Sequence, residues 1–354
     1  MTARTSIAAL ISSALLAACG GSGSHGHQAA PVRAATVASA KPVVLPAAIG
    51  PAALPLEQAF VTAETENRLL VVELPSGRVI RRIAVARDPE DVAASGGECS
   101  TVIVVSAAGR AVTVLDRETL NSRRVLGGFV TPHIPEIAPG GQYGYVTDDG
   151  AGTVTAIYLG DARVTSTIEV GAGAHHLSFD ATHQRAWVAL GESARTIVVL
   201  STERTDHPRV IGRFDPGFAV HDLSFSPDDT RVWVTAAAGP DVSVFDAQTR
   251  RLLFRVPVGR SPQHVALTAR YAYLTSGYGS TIEQVDAETG RIVHRARTPY
   301  GSFELAADSR YVVASSLLRG TLAIFTPQLE PLRVVHLAPA AREVALSPPN
   351  GSPP

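Results

Sequence analysis

Lysine is almost missing from this chain: of 31 basic residues, Lys41 is the only lysine. Cysteine is as scarce, with Cys19 and Cys99 alone, and charged residues make up 18% at a formal net charge of −1. So neutral a chain has no global field to draw in nucleic acid or an anionic membrane. Two cysteines build no disulfide framework. The motif Cys-x-x-Cys-His is missing, which excludes covalent c-type haem. Gly-x-Ser-x-Gly and a glycine-rich phosphate loop before a helix are missing too. The turn Asp148-Asp149-Gly150 lacks the alternating spacing of a calcium loop and reads as a β-turn. No amphipathic helical run competes with the strand-like pattern described below.

What is present begins with a leader. Arg4 forms a short positive region, and Ile7 to Ala18 an apolar stretch too short to cross a bilayer. It ends in Leu16-Ala17-Ala18-Cys19, which resembles the bacterial lipobox, where the cysteine is lipidated and becomes the first residue. That likeness implies a signal peptide over residues 1–19 and a lipid anchor on Cys19. Gly20 rather than aspartate follows, so the expected address is the cell envelope, at the periplasmic face of an outer membrane where the cell has one. Residues 20–58, rich in Gly, Ser, Ala and Pro, read as a flexible tether; His25 and His27 in it read as solvated linker. With Cys19 acylated, Cys99 has no intramolecular partner and is expected as a small buried hydrophobe.

From Phe60 onward a tile repeats. Aligned on equivalent residues Phe60, Ile103, Tyr145, Trp187, Trp233, Tyr273 and Val313, the spacings are 43, 42, 42, 46, 40 and 40. Each tile holds a hydrophobic strand ("RAWVAL", "RVWVTA"), a second ("RTIVVLS", "DVSVFD"), a polar turn ("AQTR", "AETG"), a third ("RLLFRVPV") and a fourth after a Gly or Pro bend ("HHLSFDA", "HDLSFSP"). Four short antiparallel strands at such a period make a propeller blade. The pattern predicts an all-β, seven-bladed β-propeller over 59–348 and a disordered tail over 349–354. The first tile lacks its inner strand and the chain ends with a surplus one, Arg342 to Pro348. That strand is expected to complete the first blade and close the ring, removing two open edges. Trp187 and Trp233 are expected between blades.

"YGYVTDDGAGTVTAIYL" and "PHIPEIAPGGQ" resemble the YVTN-type repeat of surface-layer-like and lactonase-like propellers, as does "HDLSFSPDDTRVWVTAAAGPDVSVFDAQTRRLLFRVPVG". The resemblance covers about residues 59–348. It implies the propeller fold and leaves function open, because such scaffolds carry many functions.

One position compared across blades is informative. The residue that opens each innermost strand is, in blade order, Arg342, Glu90, His133, His175, His221, Gln263 and Gly301. Three adjacent blades present histidine at one level, flanked by Glu90 and Gln263. Neutral imidazole is a common metal ligand, and His133, His175 and His221 with Glu90 suit Zn²⁺ or Cu²⁺. The competing reading is that these histidines belong to the repeat and bond backbone at the strand mouth. The neighbours His176 and Asp222 are expected to alternate away from the site. A monomeric binding or scaffold lipoprotein, taking a protein or small ligand at its funnel face, is the leading expectation. A lactonase-type hydrolase drafting Glu90 and Arg342 is one alternative, and a metal-binding propeller the other. Single-stranded nucleic-acid binding, known among relatives, is disfavoured by the neutral charge.

Overall fold

A computed structural model of the protein describes residues 57–96, 99–182, 184–191, 194–260 and 263–347. The leader, Cys19, the tether as far as residue 56 with His25 and His27, and the residues from 348 lie outside the described residues; Gln58, expected at the end of the tether, instead opens the first strand. The described chain forms seven four-stranded antiparallel sheets. Blade 1 pairs the C-terminal strand β28 (Ala341–Leu346) with β1 (Gln58–Ala63), followed outward by β2 (Arg68–Glu73) and β3 (Arg78–Ala84). The ring is therefore closed as the repeat phase requires, with Phe60 opposite Ala345 and Val61 opposite Val344.

The innermost strands of blades 2 to 7 are β4 (Pro89–Ser95), β8 (Pro132–Ile137), β12 (Leu177–Asp180), β16 (Val220–Phe225), β20 (Gln263–Leu267) and β24 (Ser302–Ala307). The second strands carry the seven alignment residues, and all seven are fully buried. Each packs into the neighbouring blade. Trp187 joins Val220, Leu223 and Val232 of blade 5, and Trp233 joins Val265 and Ala272 of blade 6. Phe60 meets Val92 and Val102 of blade 2, and Val313 meets Val61 and Val344 of blade 1. The core is thus distributed over seven inter-blade clusters. Cys99 is buried in the cluster that holds Ile103, Val146 and Ile157.

The polar turns between the third and fourth strands share one device. Asp116, Asp246 and Asp286 each accept the N–H and the hydroxyl of the threonine three residues on, at 2.6 to 3.0 Å. The next residue, Leu120, Arg250 or Gly290, takes a positive φ. Aspartate substitutes for missing backbone bonds in such a turn. The outermost strands are irregularly exposed and rich in arginine, as in β3, where Arg78, Arg81 and Arg82 lie on the edge. Edge charge discourages pairing with other sheets.

Candidate metal centre

The innermost strands do not begin regularly. In blade 3, Pro132 pairs with Asp148 but Pro135 pairs with Val146, so three steps on one strand match two on the other. The same shift lies between Val220 and Leu223, between Pro89 and Asp91, and between Ser302 and Glu304. In blade 4, His175 N–H donates to Ala189 and Ala189 N–H donates back to His176, so two residues face one. Each is a β-bulge, which breaks alternation and re-aims side chains. At three strand mouths, in blades 3, 5 and 1, a hydroxyl on the next strand satisfies the N–H that the bulge displaces. Ile134 N–H donates to Thr147 Oγ1 (3.0 Å), Asp222 N–H to Thr235 Oγ1 (3.0 Å) and Glu343 N–H to Thr62 Oγ1 (2.9 Å). These threonines end the runs Tyr145-Val146-Thr147, Trp233-Val234-Thr235 and Phe60-Val61-Thr62.

The bulges overturn one expectation. His176 and Asp222 do not alternate away; they sit inside the cluster. His133 and His175 stack with centroids 4.0 Å apart, and His176 lies 4.8 Å from His175 and 5.3 Å from His221. His264, the unbulged neighbour of Gln263, completes the group: its ring is 5.4 Å from His176 and 4.7 Å from His221, and Nε2 of His221 lies 3.0 Å from Nε2 of His264. Five imidazoles from blades 3 to 6 therefore meet at the head of the channel. Gln263 itself opens β20, its side chain lying outside the described residues, and Gly301 is a buried turn residue with no side chain to offer.

Around the rings stands a shell of carboxylates, each at a histidine Nδ1. Glu90 Oε2 is 3.2 Å from His133, Asp149 Oδ2 is 2.9 Å from His175, Asp222 Oδ1 is 3.0 Å from His176, and Glu304 Oε2 is 3.0 Å from His264. Such a contact fixes the tautomer, with Nδ1–H donating and the Nε2 lone pair left to bind. Glu90 is held on its other oxygen by Arg342, which also reaches Glu64, both at 3.2 Å. All seven blades contribute to this one place. The second oxygen of Asp149, Oδ1, is buried with no hydrogen-bond partner among the described residues.

Burial and neighbouring charge set the protonation pattern. Burial holds the His133 imidazole well below its ordinary range, and the adjoining His175 adds to this. Burial also lowers His176, more than Asp222 raises it. Burial would lower His264 too, but Glu304, Asp222 and Asp91 outweigh it and raise it to about 9. In turn burial is outweighed at Glu304, which His264 holds down at about 2, and at Asp222, which His176 and His264 hold well below the usual carboxylate range. Deeper in the channel, burial and the charge of Glu304 push Asp91 and Glu343 well above it.

Two sets of three histidines each bring their donor nitrogens within 4.8 Å of one another: His133, His175 and His176, and His176, His221 and His264. In the first set each imidazole has a carboxylate at Nδ1, and in the second His176 and His264 do, an arrangement that matches the donor chemistry of Zn²⁺ or Cu²⁺. A tetrahedral ion with bonds of about 2.0–2.1 Å would draw the nitrogens to ~3.3 Å apart, a small side-chain adjustment. Of the residues the sequence singled out, His133, His175, His221 and Glu90 meet here. His176, His264, Asp222 and Glu304 were missed. For Asp222 the signal lay one strand on, in Thr235, whose hydroxyl caps the bulge.

The class of protein is a seven-bladed β-propeller with a histidine-lined channel mouth. No protein-family model matches the chain, and no curated protein matches it by sequence. By fold it is similar to a protein of unknown function from Desulfotomaculum acetoxidans (TM-score 0.71, 15% identity, covering 82% of this chain and 99% of that one). It is also similar to apo AztD from Citrobacter koseri (TM-score 0.64, 9% identity, 82% and 97% covered). Hydrazine synthase from Kuenenia stuttgartiensis is a third likeness (TM-score 0.66, 14% identity, 77% and 92% covered). At these identities the likeness establishes the fold alone.

Proposed function

We propose that the protein is a metal-binding propeller of the bacterial envelope, which takes Zn²⁺ or Cu²⁺ at the mouth of its channel. The observation that carries this reading is the set of four histidines tied through Nδ1 to Glu90, Asp149, Asp222 and Glu304. Histidine ligands in proteins are oriented by carboxylates in this manner, and a histidine serving only the strand mouth has no need of one. Asp222 and Glu304, which neighbouring histidines hold ionised, offset the charge of a divalent ion in a buried place. When bound, the ion would be held by imidazole nitrogens. Glu90, Asp149 and Asp222 would orient the nitrogens of His133, His175 and His176. Glu90 and Arg342, the pair a lactonase would draft, are bonded to each other and to His133 and Glu64, so their role in this reading is positioning. The lipobox likeness at Cys19 supports a lipid-anchored, periplasm-facing location, and the repeat likeness supports a YVTN-type propeller. A partner that delivers or receives the ion would meet the channel mouth.

The test is zinc and copper titration of the purified protein beside the triple variant His133→Ala/His175→Ala/His221→Ala. Near-stoichiometric metal in the protein, lost in a variant whose circular dichroism is unchanged, is the expected result. Equal metal content in both would return the histidines to a structural role. Mass spectrometry of the membrane-extracted N-terminal peptide tests the acyl chains on Cys19.

A further inference from the structure

The two three-histidine sets share a residue, and that residue has one nitrogen to give. His176 Nδ1 lies 3.0 Å from Asp222 Oδ1, so only Nε2 is left, and one imidazole lone pair binds one ion. The sets cannot both be complete at once. Two dications a few ångströms apart would also repel strongly in a buried place. The sets differ in depth: His133 and His175 are partly exposed, whereas His176, His221 and His264 are buried, so the shared residue lies on the inner side.

We infer that the channel mouth carries a single ion with two alternative positions, an outer one on His133, His175 and His176 and an inner one on His176, His221 and His264, and that His176 is the pivot between them. The inference rests on the metal-binding reading above and adds a route to it. In the transfer the bonds to the outer pair, His133 and His175, break. Bonds to His221 and His264 form, and the bond to His176 is kept. The Nε2 atoms of His221 and His264 lie 3.0 Å apart, a hydrogen-bond distance. The proton between them leaves to water as the ion arrives. Metal charge and oxidation state do not change. Histidines that share a ligand in this way make a track inward from the solvent side of the site, suited to a protein that accepts an ion and passes it on.

The test uses Cu²⁺ alone as probe on the full chain and on His133→Ala, His264→Ala and His176→Gln. The expected result is one copper per wild-type chain. Copper is also expected at one per chain in His133→Ala and His264→Ala, whose electron paramagnetic resonance spectra differ, the wild-type spectrum being their sum. His176→Gln is expected to weaken binding more than tenfold. Two coppers per wild-type chain would overturn the inference. So would loss of copper from either alanine variant, identical spectra in the two, or wild-type affinity in His176→Gln. Should His176→Gln fail to fold, the two alanine variants decide by themselves. A wild-type chain that binds neither copper nor zinc overturns the metal reading itself, an outcome distinct from two coppers or one fixed position.

Discussion

Nδ1 of His176 lies 3.0 Å from Oδ1 of Asp222, joining blade 4 to blade 5 at the channel head. Asp222 also has His264 Nδ1 at 3.8 Å, so one carboxylate serves two rings. Replacing it with asparagine keeps the shape and removes the charge. Asp222→Asn is expected to lower zinc affinity by about 10- to 100-fold, the usual effect of losing a partner behind a ligand. Competition titration against a chelating dye reads this directly, and unchanged affinity would place the ion elsewhere.

The bulge that brings Asp222 inward depends on Thr235, whose hydroxyl takes the Asp222 N–H at 3.0 Å. Thr235 is fully buried, so Thr235→Val leaves that donor unsatisfied at nearly constant volume. The expected cost is about 1–3 kcal/mol in a denaturant melt, together with weaker metal binding. A neutral result in both would show that the bulge holds without its hydroxyl.

Ring closure makes the last strand indispensable. Removing residues from 341 onward strips blade 1 of its inner strand and takes Ala341 and Val344 out of the core they share with Val61 and Val313. It also removes Arg342, which holds Glu64 and Glu90. The truncated protein is expected to lack a cooperative thermal transition and a native near-ultraviolet spectrum. A sharp transition in that protein would show that the other six blades suffice.

Glu136 supplies a pH signature. Burial in the channel, followed by the charge of Asp222, pushes its carboxyl up to about 8 from an ordinary 4.5. The folded state holds this proton longer than the unfolded one. Its contribution to stability is therefore complete below 4.5 and is lost as pH rises through about 8. Glu136→Gln is expected to flatten the fall in melting temperature across that window. Parallel curves for variant and wild type would rule the group out.

Trp187 and Trp233 test the inter-blade core. Each is fully buried against the next blade, and tryptophan-to-alanine changes in such places cost about 3–5 kcal/mol. Either variant is expected to melt well below the wild type, and losses near 1 kcal/mol or less, of the order of a single surface change, would argue that the blades relax around the void.

The propeller is legible in the sequence because its information is local and repeated. Phe60, Ile103, Tyr145, Trp187, Trp233, Tyr273 and Val313 recur near every 40 residues, and the surplus strand at the end states how the ring closes. The level of His133, His175 and His221 followed from the same phase. What the period-two rule misplaced was His176 and Asp222, since a single bulge reverses every facing that precedes it. His264 was passed over for Gln263 for the related reason that blade 6 has no such shift, so its second residue faces in.

By itself, then, the sequence determined the blade count, the closure, the residues between blades and the place where histidines gather. These depend on repeat length and on the burial of side chains whose positions recur. The tertiary structure decided which histidines meet, which carboxylate stands behind each, and that His176 belongs to both sets. Those relations run between blades, across 43 residues or more of chain in the pairs His133–Glu90 and His221–His264. They depend on small register shifts at the strand mouths, which change no residue's burial pattern enough to be read from one chain.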